Sequence, residues 1–169
     1  PLYSSAASDV YKRQIYWNNT CSWEETASLA LDSIIQTTKT EKISNNYRIN
    51  IYLVDQVEIK KLNYKFLNKN YPTDVLSFNY YNGWKNGVPP DILEIFPDEE
   101  DKDELGEIFI CVPIILKQAE ENNHSFAKEM STMAIHGTLH LLGYNHEEIL
   151  EEKIMFSKTE KILNKVISE

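Results

Sequence analysis

Apolar residues recur along this chain with two different periods, and those periods divide it into helical and extended segments. Ser22 with Glu25 three residues on has the spacing of a capping box, and Ala27, Ala30, Leu31, Ile34 and Ile35 follow at helical intervals towards Lys39. From Tyr47 to Val54 the pattern alternates, with Ile49, Ile51 and Leu53 on one side of a half-buried strand. Asp55 offers an N-cap to a helix running to Asn68, on which Ile59, Leu62, Phe66 and Leu67 share a side. After Pro72 the apolar and aromatic run Val75 to Tyr81 predicts a second strand. Asn82 to Pro90, with two glycines and two prolines, predicts a loop, and Ile92 to Phe96 a short antiparallel return.

Beyond the acidic run Asp98 to Glu104, read as a solvated loop tip, Glu107 to Val112 predicts another strand. Pro113 suits the first turn of a helix that stops near Asn122. Ser125 caps a helix from Phe126 to Leu142, with Met130, Met133, Ala134 and Leu141 towards the core and Gly143 as its stop. A last amphipathic helix starts near Glu147 and carries Leu150, Ile154, Met155, Ile162 and Val166. There is no internal repeat. The order predicts one compact α+β domain, a small mixed sheet of about four strands packed with about five helices. Residues 1–14 are small, polar and aperiodic and read as a tail or a segment foreign to the domain, which then spans 15–169.

Composition narrows the setting. With 169 residues, 42% of them hydrophobic, the chain has enough apolar surface for one core. No apolar run reaches 18 residues and the N-terminus lacks an export signal, so a soluble, cytoplasmic protein is expected. Cys21 and Cys111 have no CxxC partner, which suits a reducing compartment better than a disulfide staple. The net charge of -9 argues against a general nucleic-acid coating protein. Locally the balance reverses: Lys60, Lys61, Lys65 and Lys69 fall in a stretch without an acid, either a patch for a polyanion or a solvated helix face.

The chemistry concentrates between Ile135 and His146. Three of the chain's four histidines, His136, His140 and His146, lie within eleven residues. Positions four apart on a helix stand about 6 Å apart at Cβ, so two imidazoles can converge on one ion at ~2.0–2.1 Å. Gly143 permits a sharp turn that brings His146 back to a third ligand position. A pair of histidines at helical spacing is often core or surface chemistry; three around a glycine turn point to metal, with zinc the first choice. Three neutral ligands leave a tetrahedral position open, as catalytic zinc requires and structural zinc does not. His124, in a loop, is read as a bystander. The same spacing occurs in metzincin proteases, but there a glutamate follows the first histidine, and here that place is Gly137. Lacking that base, peptide hydrolysis is a remote alternative.

The segment HGTLHLLGYNH resembles the signature of the bacterial YbeY family of rRNA-maturation endoribonucleases. Leu62-Asn63, Pro72-Thr73-Asp74-Val75-Leu76-Ser77-Phe78, Leu105-Gly106-Glu107-Ile108, Gln118-Ala119 and Glu160 also resemble family landmarks in the family's order, so the likeness spans Trp23 to Leu163. The resemblance implies a zinc-dependent hydrolase that cuts single-stranded RNA. Its partners would be ribosomal RNA, the small ribosomal subunit and ribosome-associated proteins, and its tasks maturation of the 16S RNA 3′ end and ribosome quality control. It implies His136, His140 and His146 as zinc ligands and Asp74 with Ser77 as cleft residues, with the four lysines as RNA-contact candidates. Leu67 stands where the family commonly has an arginine, Asn145 where the signature has aspartate, and Glu107 where it has aspartate. Lysine is a weaker phosphate ligand than arginine, lacking the bidentate fork. Leu67 therefore keeps open a second reading, a ribosome-associated binding factor with structural zinc and weak or no nuclease activity.

Overall fold

A computed structural model describes residues 22–43, 47–80, 83–90 and 104–167. Helix α1 (Trp23–Thr40) opens on the expected capping box: Ser22 Oγ accepts from the Glu25 amide and Glu25 Oε2 from the Ser22 amide, each at 3.1 Å. Strand β1 (Arg48–Val54) leads to α2 (Gln56–Leu67), where Asp55 Oδ1 accepts from the Glu58 amide at 2.8 Å. Strand β2 (Val75–Asn79) and strand β3 (Glu104–Cys111) complete the sheet, and α3 (Val112–Glu121), α4 (Phe126–Leu141) and α5 (Ile149–Ile167) follow.

The sheet order is β1-β3-β2, with β1 parallel and β2 antiparallel to β3. The fold is thus the expected mixed α+β domain, with three strands among the described residues in place of about four. The strand expected at 92–96 and the acidic stretch 98–103 lie outside the described residues. Glu104, read as loop, belongs to β3, because it pairs with Arg48 beyond a register shift between Arg48 and Ile49 and meets its guanidinium at 3.5 Å. At the other end β3 stops at Cys111: Pro113, without an N–H, cannot extend a ladder, and Val112 already begins α3.

Being central, β3 is buried on both faces, and its alternation divides the core in two. Ile108 and Ile110 join Leu53 and helices α1, α4 and α5 in the larger cluster, while Cys111 joins Val54, Ile59 and Leu76 in the smaller, beneath α2. Cys111 is free and buried, and burial pushes its thiol up to about 11, which disfavours the thiolate.

Two helical faces differ from expectation. On α2, Phe66 and Leu67 are 53% and 48% exposed and Asn63 is buried instead, its amide donating to the Tyr71 carbonyl at 2.8 Å. In the last turn of α2, Phe66 keeps an aromatic contact with Phe78, ring centroids 4.7 Å apart, and has the Lys65 ammonium over its own ring. On α5, which starts at Ile149, Leu150 and Ile154 are exposed; the buried stripe is Met155, Thr159, Ile162 and Leu163. The first turns of that helix project beyond α4.

Helix α4 is the most enclosed element, with Met130, Ala134, Ile135, Leu139 and Leu141 at 0–1% exposure. Burial of Met130, Ile135, Leu139 and Leu141 stabilises by about 1.5–3 kcal/mol each, which fixes the rotation of the helix and of anything it carries. It packs closely against β2 and β3 because Gly137 has no side chain: a Cβ there would meet Ser77 Oγ at 2.9 Å and Ile108 Cγ2 at 3.0 Å. The helix ends in a complete Schellman motif, in which the Tyr144 amide donates to Leu139 O and the Gly143 amide to His140 O, both at 3.0 Å.

Gly143 has φ +77°, and a Cβ on it would lie 2.0 Å from the Trp84 carbonyl oxygen. Substitution Gly143→Ala should destabilise the protein by about 2–5 kcal/mol, the sum of backbone strain and overpacking. Gly143→Asn, tolerant of the left-handed region but not of the close approach, should be no better; chemical denaturation of both variants checks this.

Candidate metal centre

His136 and His140 stand one turn apart on α4, and the turn at Gly143 returns the chain so that His146 faces them. Their ligand atoms all lie within 4.8 Å of one another, and the Nε2 atoms of His136 and His140 are 3.0 Å apart. Tetrahedral zinc would hold its nitrogens roughly 3.3 Å apart. Only a proton or a shared cation between them lets two such nitrogens approach, so the three imidazoles can hold a metal ion. The neutral nitrogen set fits zinc.

The tautomer of His140 follows from its other nitrogen. Nδ1 lies 3.0 Å from the Tyr144 carbonyl oxygen, which can only accept, so Nδ1 carries the proton and Nε2 presents its lone pair to the site. Tyr144 is itself fixed from three directions. Its hydroxyl donates to Glu41 Oε2 at 2.6 Å, the Asn86 carbonyl oxygen lies 2.9 Å away as a competing acceptor for the same proton, and Lys158 Nζ sits 4.8 Å from the ring centroid. Lys158 also donates to both Glu41 oxygens, at 2.8 and 2.9 Å. The loop that carries His146 thus hangs from α1 through Glu41, from α5 through Lys158 and from the 84–88 turn, where the Gly87 amide donates to Leu142 O at 2.9 Å.

The histidines open into a cleft of about 220 Å³ that Leu67, Lys69, Tyr71, Asp74 and Ser77 also line. The strand period explains Ser77: with Val75, which also lines the cleft, it points to the face of β2 that carries α4. Ser77 Oγ is buried without a protein partner, whereas the Asp74 carboxylate is fully engaged. Thr73 Oγ1 and the Val75 amide donate to Oδ1 at 3.0 and 2.8 Å, and Gln118 Nε2 to Oδ2 at 3.0 Å. Of the four lysines only Lys69 reaches this cleft; Lys60 and Lys61 line another groove, and Lys65 lies over the Phe66 ring at 4.9 Å. His124 pairs with Glu129 and does not line the cleft.

Glu41 and Lys158 escaped the sequence reading as site-supporting residues, and Gln118 stood there only as part of the Gln118-Ala119 landmark, without a role. Nothing local marks the first two, because they are 117 positions apart and meet only through the packing of α1 with α5.

Burial holds the His136 and His140 imidazoles in the neutral form in which a ring nitrogen can act as a ligand. Burial, then the neighbouring imidazoles His140 and His146, lowers His136 to about 4, against a smaller upward pull from Asp74. Burial lowers His140 as well. Both groups titrate below their unfolded value of 6.5, so the unfolded chain takes up protons first as pH falls. Stability of the metal-free protein should be full above pH 6.5 and decline from there towards about pH 4, as urea melts across that range would record. A divalent ion at pH 7 should raise Tm, and chelation should reverse it. Replacing Tyr144 by Phe should weaken metal binding roughly tenfold, by isothermal titration, with the α-helical spectrum unchanged.

The family model described as Endoribonuclease YbeY matches residues 14–167. Among curated relatives, the protein called Endoribonuclease YbeY in Malacoplasma penetrans is 39% identical over 73% of each chain. Its namesake in Staphylococcus carnosus is 38% identical over 75% of this chain and 76% of its own. A solution structure from Thermotoga maritima superposes with a TM-score of 0.55 at 33% identity, covering 86% of this chain and 84% of that one.

Proposed function

The chain belongs to the YbeY endoribonuclease family, and from that premise we propose that it is a zinc-dependent endoribonuclease of the cytoplasm. It cuts single-stranded RNA, acting at the 3′ end of the 16S RNA of the small ribosomal subunit and in ribosome quality control. The observation that carries the reading is the meeting of His136, His140 and His146 at the head of a cleft that also holds a lysine and an unpaired hydroxyl.

His136, His140 and His146 would hold the zinc, which when bound supplies Lewis acidity at a phosphoryl oxygen and lowers the pKa of water. The remaining work falls to the chain. Lys69 places its ammonium on the cleft wall, where it neutralises a backbone phosphate. Ser77 Oγ is buried and packs against Gly137, so it shapes the site from beneath and does not itself meet the substrate. Asp74 accepts three hydrogen bonds that lock its carboxylate; it acts as a fixed negative charge beside His136 and orients the strand that carries Ser77.

Leu67 supports a second reading, the ribosome-associated factor whose zinc holds the fold and which cuts weakly or not at all, because it sets an apolar side chain on the cleft wall. Proteolysis loses further ground, since a side chain at 137 would meet Ser77 and Ile108.

Cleavage of a single-stranded ribosomal RNA fragment separates these readings. His140→Ala should lose bound zinc and at least about 100-fold in rate. Leu67→Arg should tighten RNA binding several-fold by restoring a forked phosphate ligand, roughly 3- to 10-fold. Unchanged cleavage by His140→Ala would eliminate zinc catalysis, and ribosomal subunit binding without cleavage by the intact protein would establish the binding factor.

A further inference from the structure

A second groove, about 510 Å³ in volume, lies on the far side of the wall that bounds the histidine cleft. The wall is the connection between α2 and β2, and its residues alternate between the two hollows: Lys69, Tyr71 and Thr73 line the cleft, while Asn70 and Pro72 line the groove. The two hollows thus lie on the two sides of one strip of chain. A polymer leaving the cleft across this strip enters the groove directly.

The rest of the groove comes from α2, whose Lys60, Lys61 and Tyr64 share one side of the helix. Tyr64 is 58% exposed. No carboxylate lines the groove, although the chain as a whole carries a charge of -9. Lys61 meets Glu58 at 3.3 Å, an exposed pair worth at most about 1 kcal/mol that a phosphate can displace. An open aromatic ring beside two ammonium groups and the Asn70 amide is the equipment of a single-strand nucleic-acid platform: the ring stacks a base of any sequence and the cations hold its phosphates.

We propose that this groove is a second nucleotide subsite, in which a base flanking the cut stacks on Tyr64 while adjoining phosphates meet Lys60 and Lys61. It rests on the reading of the chain as an RNA-cutting enzyme and adds to it a footprint longer than the cleft. RNA of only one or two nucleotides then fills the cleft alone, and longer strands gain affinity from the groove. The exposed tyrosine, the lining without a carboxylate and the shared wall together favour RNA over a protein partner.

The test uses zinc-loaded protein and 2′-O-methylated oligouridylates from about two to about ten nucleotides, with binding followed by fluorescence anisotropy. For the intact protein, affinity should rise with length until the groove is filled. Tyr64→Ala should cost roughly tenfold on long oligomers and nothing on the shortest, and Tyr64→Phe should restore the loss. Lys60→Gln combined with Lys61→Gln should lower the salt dependence of long-oligomer binding by up to about 1.4 in log-log slope. All three side chains lie at the surface, and thermal melting confirms that each variant is folded. Equal losses on short and long oligomers, or wild-type affinity of Tyr64→Ala at every length, would overturn the subsite while leaving the cleavage reading intact. Absence of RNA binding by the intact protein at every length would overturn both. If Tyr64→Ala weakens only the binding of ribosomal subunits, the groove faces protein and the proposal fails.

Discussion

The turn from Leu142 through Tyr144 does two jobs with one set of hydrogen bonds, and the site depends on both. Its Schellman geometry closes α4 and sends the chain back towards His136 and His140, bringing His146 into range. Its Tyr144 carbonyl then takes the Nδ1 proton of His140, so the nitrogen left facing the site is a lone pair. Gly143 makes this possible because no other residue fits both a φ of +77° and the nearness of the Trp84 carbonyl. Had the helix frayed instead, the third imidazole would be free in solvent and the other two would be an ordinary helical pair.

What holds the turn is a half-buried charge pair. Glu41 has 7% of its side chain exposed and Lys158 33%, and the Glu41 carboxylate also accepts from the Tyr144 hydroxyl. The ammonium keeps part of its contact with water, which reduces the desolvation cost that a fully enclosed pair would carry. Glu41 accepts from both the ammonium and the phenol, so the contact ties α1 and α5 to the metal-binding loop.

Much of this architecture was legible in the residues. Capping at Ser22, Asp55 and Ser125 is local chemistry that tertiary packing reinforced, and the helix stop at Gly143 follows from what a side chain there would strike. The three histidines were legible because helical spacing and a turn residue suffice to bring them together. The errors have a common cause, in that periodicity shows which side of a helix is apolar but not how far its neighbour extends. Phe66, Leu67, Leu150 and Ile154 continue apolar stripes past the ends of the elements they would pack on. Leu67 consequently meets the cleft. Likewise the four clustered lysines look like one patch in sequence, yet α2 and the following connection distribute them over a cleft, a groove and an aromatic ring. Contacts such as Glu41 to Lys158 or Asp74 to Gln118 join residues that no local pattern relates.

Gly137 links fold to chemistry in the same physical way. The position where a protease of similar spacing carries its glutamate is here pressed against β2 and β3, so the lack of a side chain is what lets α4 lie close enough for Ser77 to share the histidine cleft. X-ray absorption at the zinc edge of the metal-loaded protein tests the central claim most directly. Three imidazole nitrogens at about 2.0–2.1 Å with one exchangeable lighter ligand are expected at one ion per chain. A spectrum with fewer than three imidazoles, with sulfur, or with four fixed protein ligands would contradict it.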